Sequence, residues 1–237
     1  MVVIDHVVNF KDKHKGGDIY VVGSGKSIDF YPAGFLNDKI TIGVNQISRV
    51  VGCTYYVRKE LPPLMSAEVL LSDITLFLTM SKYGNHATHK NSNLILVSNH
   101  TGQNERTKIV LFDHNSNVHR VPDRLPDDPN ALLVSHSTIT TAIHLAAYMG
   151  AKNIFIAGHD LGSINGQLNC AGYHSVESRQ CSWHGDNDEV IRQYKDWLRK
   201  IGGDTLKARA LLQEKYSCNI FTLSPFIGFG FDGNTFS

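Results

Sequence analysis

No run of 18 apolar residues occurs anywhere in the 237-residue chain, so no membrane-spanning helix is expected. Charge of one sign is equally missing. Lys and Arg number 23 against 22 Asp and Glu, a net charge of +1, whereas binding to a nucleic-acid backbone needs a concentrated basic face. Cysteine is scarce, and Cys53, Cys170, Cys181 and Cys218 form no Cys-x-x-Cys pair, which argues against a zinc ribbon. They read as reduced thiols of a cytoplasmic protein, although Cys170 and Cys181 are near enough to meet across a loop. Histidine is abundant at twelve, yet no His-Glu-x-x-His or comparable spacing organises it, so no metal site is assigned. The opening "MVVIDHVVNFKDKHKGG" carries its lysines after its apolar stretch, the reverse of a signal peptide. Internal repeats and low-complexity tracts are absent.

What the chain does have is a series of short apolar runs bounded by polar turns. Strands are expected at 18–23, 39–44, 53–58, 74–80, 93–98, 108–113, 153–158 and 219–224. "HSTITTAIHLAAYMGA" (136–151) reads as a helix, with Ile139, Ile143, Ala146 and Ala147 on one face, Ser137 or Thr138 capping its start and Gly150 ending it. A second amphipathic helix is expected over 186–202, with another over 204–217 after a Gly-Gly break. Apolar strands alternating with helices imply an α/β, Rossmann-like fold: a mostly parallel sheet with helices on both faces. We expect a single domain over 1–237, with the less regular 60–130 as an insertion or lid.

Ligands of such sheets sit beyond the carboxyl ends of the strands, where the strand order reverses. The residues to weigh are therefore Gly23-Ser24-Gly25, Asn45-Gln46, Arg58-Lys59 and Gly158-His159-Asp160. "DIYVVGSGKSIDF" (18–30) fails as a phosphate-wrapping P-loop, because Tyr20 stands where the first glycine is required. It fails as a dinucleotide fingerprint too, since the third glycine is missing. What remains is a two-glycine turn with Lys26 and Ser27 after it. Such a turn admits close approach to the backbone and suits one phosphate and its sugar better than a triphosphate.

Taken together, "IYVVGSGKSI", "ITIGVNQIS" and "HSTITTAIHLAAYMGAKNIFIAGHDLG" resemble the bacterial CMP-sialyltransferases. They also resemble the wider group that holds motility-accessory-factor glycosyltransferases and archaeal-type hydroxymethyl-dihydropterin diphosphokinases. Those families carry a strand then Gly-x-Gly-Pro-Ser, a second strand ending in Asn, often Asn-Gln, and a Ser/Thr-rich helix start. An "xxGxxxIYLxGxD" segment and a final strand complete their pattern. The match here spans roughly 18–58 and 134–225. Lys26 stands where relatives usually have proline, which loosens the loop and adds a charge able to meet a phosphate.

The resemblance implies a nucleotide site built from Gly23, Ser24, Gly25, Lys26, Ser27, Asn45, Gln46, Ser137, Thr138, Gly158, His159 and Asp160. It implies a general base among the histidines of the polar segment 168–188, His174 first and His184 second, with the Tyr173 hydroxyl helping the departing phosphate. The expected partners are a nucleotide-sugar donor, a CMP-sugar by preference, and a glycan or other hydroxyl acceptor. No obligatory cofactor is expected, and a homo-oligomer is left open. Two alternatives stand beside it. One is a diphosphokinase in which Asp160 binds Mg²⁺; the other is a nucleotide-binding module without catalysis. The tail "SPFIGFGFDGNTFS", apolar, aromatic and free of basic residues, is expected to pack against the sheet rather than to anchor a membrane.

Overall fold

The computed structural model describes residues 3–59, 73–79, 108–114, 120–165, 167–173 and 188–224. Among the described residues nine strands form the sheet: β1 (Val3–His6), β2 (Asp18–Val22), β3 (Ile40–Val44), β4 (Tyr55–Arg58), β5 (Thr75–Thr79), β6 (Lys108–His114), β7 (Ala131–Leu132), β8 (Asn153–Ala157) and β9 (Asn219–Thr222). Their order is β1-β6-β5-β4-β3-β2-β8-β9, with β7 paired to β6, and every pairing among them is parallel. From β2 the chain steps one way through β3, β4, β5 and β6, and later the other way through β8 and β9. The order therefore reverses at β2, which fixes where a ligand crevice opens.

Helix α1 (Thr138–Tyr148) crosses β2, β3, β4 and β8, and α2 (Asp188–Tyr216) packs on α1. All eleven residues of α1 are buried, not only the expected stripe, because the sheet lies under it and α2 over it. Ala142, Ala146 and Ala147 let the layers approach. One core joins Ile19, Val21, Ile42, Ile154, Ile156 and Ile220 to Ile139, Ile143, Ala208 and Leu212. Strand alternation sends Val22, Tyr56, Leu76, Leu78, Ile109 and Leu111 to the opposite face, where Ile47 and Cys170 cover them. Both α-helices among the described residues thus lie on one face. Among the described residues the other face is covered by 3₁₀ turns at Lys26–Phe30 and Asn45–Arg49 and by loops.

The expected break at Gly202-Gly203 does not occur; α2 runs through it. Two mid-helix glycines cost about 1 kcal/mol each. Tertiary contacts on the same turns offset that: Thr205 Oγ1 lies 2.9 Å from His159 Nε2, and Asp204 Oδ1 accepts the Val121 amide at 3.3 Å. Gly150 does end α1, at φ 83°. Strands β1 and β7 were not anticipated, and the strand expected over 93–98 lies outside the described residues.

Candidate functional site

Past the end of β2 the glycine turn continues the pairing with β8. The Gly23 amide donates to the Ala157 carbonyl and the Gly25 amide to the Gly158 carbonyl, both at 2.8 Å. Gly25 has φ −61°, open to any residue, so the glycine is required by space rather than by dihedral. A β-carbon there would stand 2.6 Å from Asp160 Oδ2 and 2.8 Å from the Gly158 oxygen. Gly158 is different: its φ of 67° is the left-handed region, and it turns the chain from β8 toward Asp160.

Asp160, 3% exposed, holds the turn from below. Its Oδ2 accepts the Ser27 amide at 2.8 Å and its Oδ1 the Ser27 hydroxyl at 2.5 Å. Burial pushes the carboxyl above the usual carboxylate range, and the Ser27 and Ser224 hydrogen bonds pull back. Ser224, just past β9, completes the knot. Its Oγ accepts the Gly158 amide at 2.6 Å and the His159 amide at 3.3 Å, and lies 3.1 Å from Ser27 Oγ. The amides of Gly23 and Gly25, expected with that of Ser24 to face a phosphate, donate to Ala157 and Gly158, and the Ser27 amide donates to Asp160. Their part is to fix the turn. Lys26 pairs with Asp29 at 2.8 Å across one turn.

One strand over, β3 is followed directly by Asn45, held at φ 54°. Its Oδ1 accepts the Thr138 hydroxyl at 3.1 Å, so the tip of β3 touches the N-terminus of α1. Ser137 caps that helix by accepting the Ile139 amide at 3.2 Å, and Thr140 Oγ1 donates back to the Ser137 carbonyl at 2.7 Å. Ile139 lies against Gly23, with its Cδ1 3.3 Å from where a Gly23 β-carbon would be, which joins the two strand tips into one region.

A strap, residues 167–173, is laid across both tips. Asn169 bridges Gly25, its Oδ1 accepts the Ser24 hydroxyl at 3.1 Å, and the Cys170 amide donates to the Ser24 carbonyl at 2.9 Å. The Ala171 amide donates to the Asp29 carboxylate at 3.0 and 3.1 Å. At the far end the Tyr173 hydroxyl donates to Gln46 Oε1 at 2.8 Å, beside Asn45. The polar segment expected over the site does begin there. His174 and His184 lie outside the described residues.

The remaining candidates divide. His159, 7% exposed, turns to α2: Thr205 Oγ1 gives its proton to Ile201, so His159 Nε2 donates to it at 2.9 Å. Burial drops the His159 pKa to about 4, which keeps it neutral. Lys59 is no solvated strand end. Its Nζ donates to the carbonyls of Ser135 at 2.8 Å and His136 at 3.1 Å, staking the segment that enters α1 to the tip of β4. Arg58 beside it is 3% exposed. Asp29, Asn169 and Ser224 were not singled out from sequence. Ser224 alone carried a signal, as the residue that closes the last apolar run. Among the described residues, no group of three or more His, Cys, Asp or Glu gathers as a metal site, and no helix is long and apolar enough to cross a membrane.

No protein-family model and no curated protein matches the chain. Among solved structures, it is similar to the sialyltransferase CstII from Campylobacter jejuni in complex with the substrate analogue CMP-3FNeuAc. Identity is 13% over 87% of this chain and 81% of that one, with a TM-score of 0.44. The same enzyme with cytidine-5'-monophosphate matches at 14% identity over 89% and 81%, TM-score 0.40. The MAf glycosyltransferase from Magnetospirillum magneticum AMB-1 matches at 15% identity over 93% of this chain and 35% of that one, TM-score 0.42.

Proposed function

We propose that the chain is a glycosyltransferase of the sialyltransferase-like kind. It takes a sugar from a nucleotide-activated donor, a CMP-sugar, and passes it to a hydroxyl acceptor. The observation that carries this reading is the meeting of Asn45 with Thr138 at the opening of α1, beside the glycine turn and the strap that carries Tyr173. The sequence resemblance marks those same positions.

In this reading the residues divide into frame and contact. Asp160, Ser27 and Ser224 hold the glycine turn, so the donor meets a rigid floor. Asn45, with both donor and acceptor atoms, reads ribose hydroxyls or a base edge. The α1 N-terminus, with the Thr138 hydroxyl, faces the phosphate and is favoured for negative charge. Chemistry is a direct displacement. The acceptor oxygen bonds to the anomeric carbon while the bond from that carbon to the phosphate oxygen breaks. The bonding pair leaves with CMP, and the acceptor proton passes to a histidine, His174 ahead of His184. Tyr173, exchanging Gln46 for the phosphate, donates a hydrogen bond to the leaving oxygen.

The diphosphokinase alternative calls for carboxylates around the site. The one that the sequence offered, Asp160, is engaged by Ser27.

The test is CMP release from a CMP-sugar, measured with and without hydroxyl acceptors, in wild type, His174→Ala and His184→Ala. The proposal expects turnover in wild type and its loss in one histidine variant that still binds CMP. ATP turnover dependent on Mg²⁺, with none from a CMP-sugar, would replace it with the diphosphokinase.

A further inference from the structure

One turn of α2 is given over to the strand tips. Ile201, Asp204 and Thr205 stand at i, i+3 and i+4, on one face of the helix. The next residues of that face, Ala208 and Leu212, enter the main core, whereas Ile201 packs with Leu161 in a separate small cluster. Leu161 directly follows Asp160 and is held at φ 55°, a left-handed conformation that costs a leucine energy unless its surroundings impose it. Thr205 Oγ1 accepts from His159 Nε2 at 2.9 Å, the residue just before Asp160. Asp204 Oδ2 stands 3.1 Å from His136 Nδ1, and since a carboxylate only accepts, the ring donates. Its Oδ1 takes the Val121 amide at 3.3 Å, which fixes the carboxylate from a second direction.

His136 lies in the segment that opens α1, two residues before the Thr138 that meets Asn45. Two bonds of that segment join it to α1 itself: the Leu133 amide to His144 Nδ1 at 2.8 Å, and Ser135 Oγ with Thr140 Oγ1 at 3.0 Å. They do not set where α1 sits. Lys59 ties the carbonyls of the segment to β4, and Asp204 ties its imidazole to α2. The same turn of α2 therefore grips both walls of the pocket. It holds the opening of α1 through His136, and the bend that carries Asp160 through His159 and Leu161. We propose that Asp204 and Thr205 are positioning residues that set the spacing between these walls. The ligand in this inference rests on the reading above, a CMP-sugar lying between Asn45, Thr138 and the glycine turn. Hydrogen bonds to its phosphate weaken steeply away from their best length and angle, so the spacing sets affinity.

Amide exchange by mass spectrometry in full-length Asp204→Ala and Thr205→Val tests the grip without any ligand. Asp204→Ala should speed exchange over 133–141, and Thr205→Val over 158–161, each at least tenfold, with β2 and β3 at wild-type rates. Unchanged exchange in both segments overturns the proposal, and so does equal acceleration throughout the sheet, which marks a general loss of stability. CMP titration of His136→Ala and His136→Asn is the second arm, since the asparagine amide can replace the Nδ1 donor. At least tenfold weaker binding is expected for His136→Ala and recovery to within about threefold of wild type for His136→Asn. Wild-type affinity in His136→Ala, or no recovery in His136→Asn, overturns the proposal. If the wild-type protein binds no CMP, the donor reading falls, and the exchange result alone decides whether α2 sets the spacing.

Discussion

Replacing Gly25 by alanine tests whether the glycine turn is built on space. The φ of −61° suits alanine, so no backbone strain is introduced. The new methyl would stand 2.6 Å from Asp160 Oδ2 and 2.8 Å from the Gly158 oxygen. Neither neighbour is a flexible chain end: Asp160 is pinned by Ser27, and the Gly158 oxygen accepts the Gly25 amide. Relieving the clash means moving the carboxylate by more than half an ångström, roughly enough to lose one Ser27 bond. Overpacking costs about 1–3 kcal/mol, and a hydrogen bond to a charged group contributes about 1.5–3 kcal/mol. Together they give a total of about 2.5–6 kcal/mol. For a chain of this size that lowers Tm by about 5–24 °C in a calorimetric or fluorescence melt. Asp160→Ala removes part of the obstruction, so Gly25→Ala should cost about 1 kcal/mol or more less in that background than in wild type. Strict additivity of the two changes, or a Gly25→Ala protein within about 0.5 kcal/mol of wild type, would refute the reasoning.

Ser224→Ala leaves the buried Gly158 amide without its 2.6 Å acceptor and should cost about 1–3 kcal/mol in urea unfolding. Asn45→Ala loses the Thr138 bond and places an alanine at φ 54°, a cost of about 1–2 kcal/mol, whereas Asn45→Gly should recover part of it. Folded-state histidine pKa values of about 3 for His144 and about 4 for His159, both below the ordinary 6.5, mean that the unfolded chain binds more protons below pH 6.5. Stability therefore falls as pH drops from 6.5 toward 4, with a slope of about 1.4 kcal/mol per pH unit for each histidine. His159→Gln, whose amide can still donate to Thr205, should remove about half of that slope in equilibrium unfolding measured between pH 6.5 and 4.5.

Strand positions could be read from sequence because each β-run is a compact, mostly apolar block such as "IYVV", "ITIGV" or "NIFIA" in a parallel sheet. β7 escaped because two residues carry no period. β1 escaped because "VIDH" is half polar and sits at the sheet edge. The Gly202-Gly203 break was read from propensity alone, and contacts by Thr205 and Asp204, distant in sequence from their partners, override it. The site was visible only as strand ends. That rule singled out Gly25, Asn45 and Asp160, while Thr138 came from the helix start and the resemblance, and the structure joins the four as two contacting pairs. It could not say that Asp160 would face Ser27, or that His159 would turn to α2. Those choices depend on which way Gly158 bends the chain and on how α2 packs. Asn169 and Asp29 gave no local signal, since their partners lie 145 and 142 residues away.

The central claim is that separate strand tips form one pocket for an activated nucleotide. Titration of CMP into the metal-free protein by calorimetry, repeated with Asn45→Ala and with Thr138→Ala, tests it most directly. The account predicts saturable binding in wild type and at least tenfold weaker binding in each variant. Wild-type affinity retained in both, or no heat in any of the three, would contradict it.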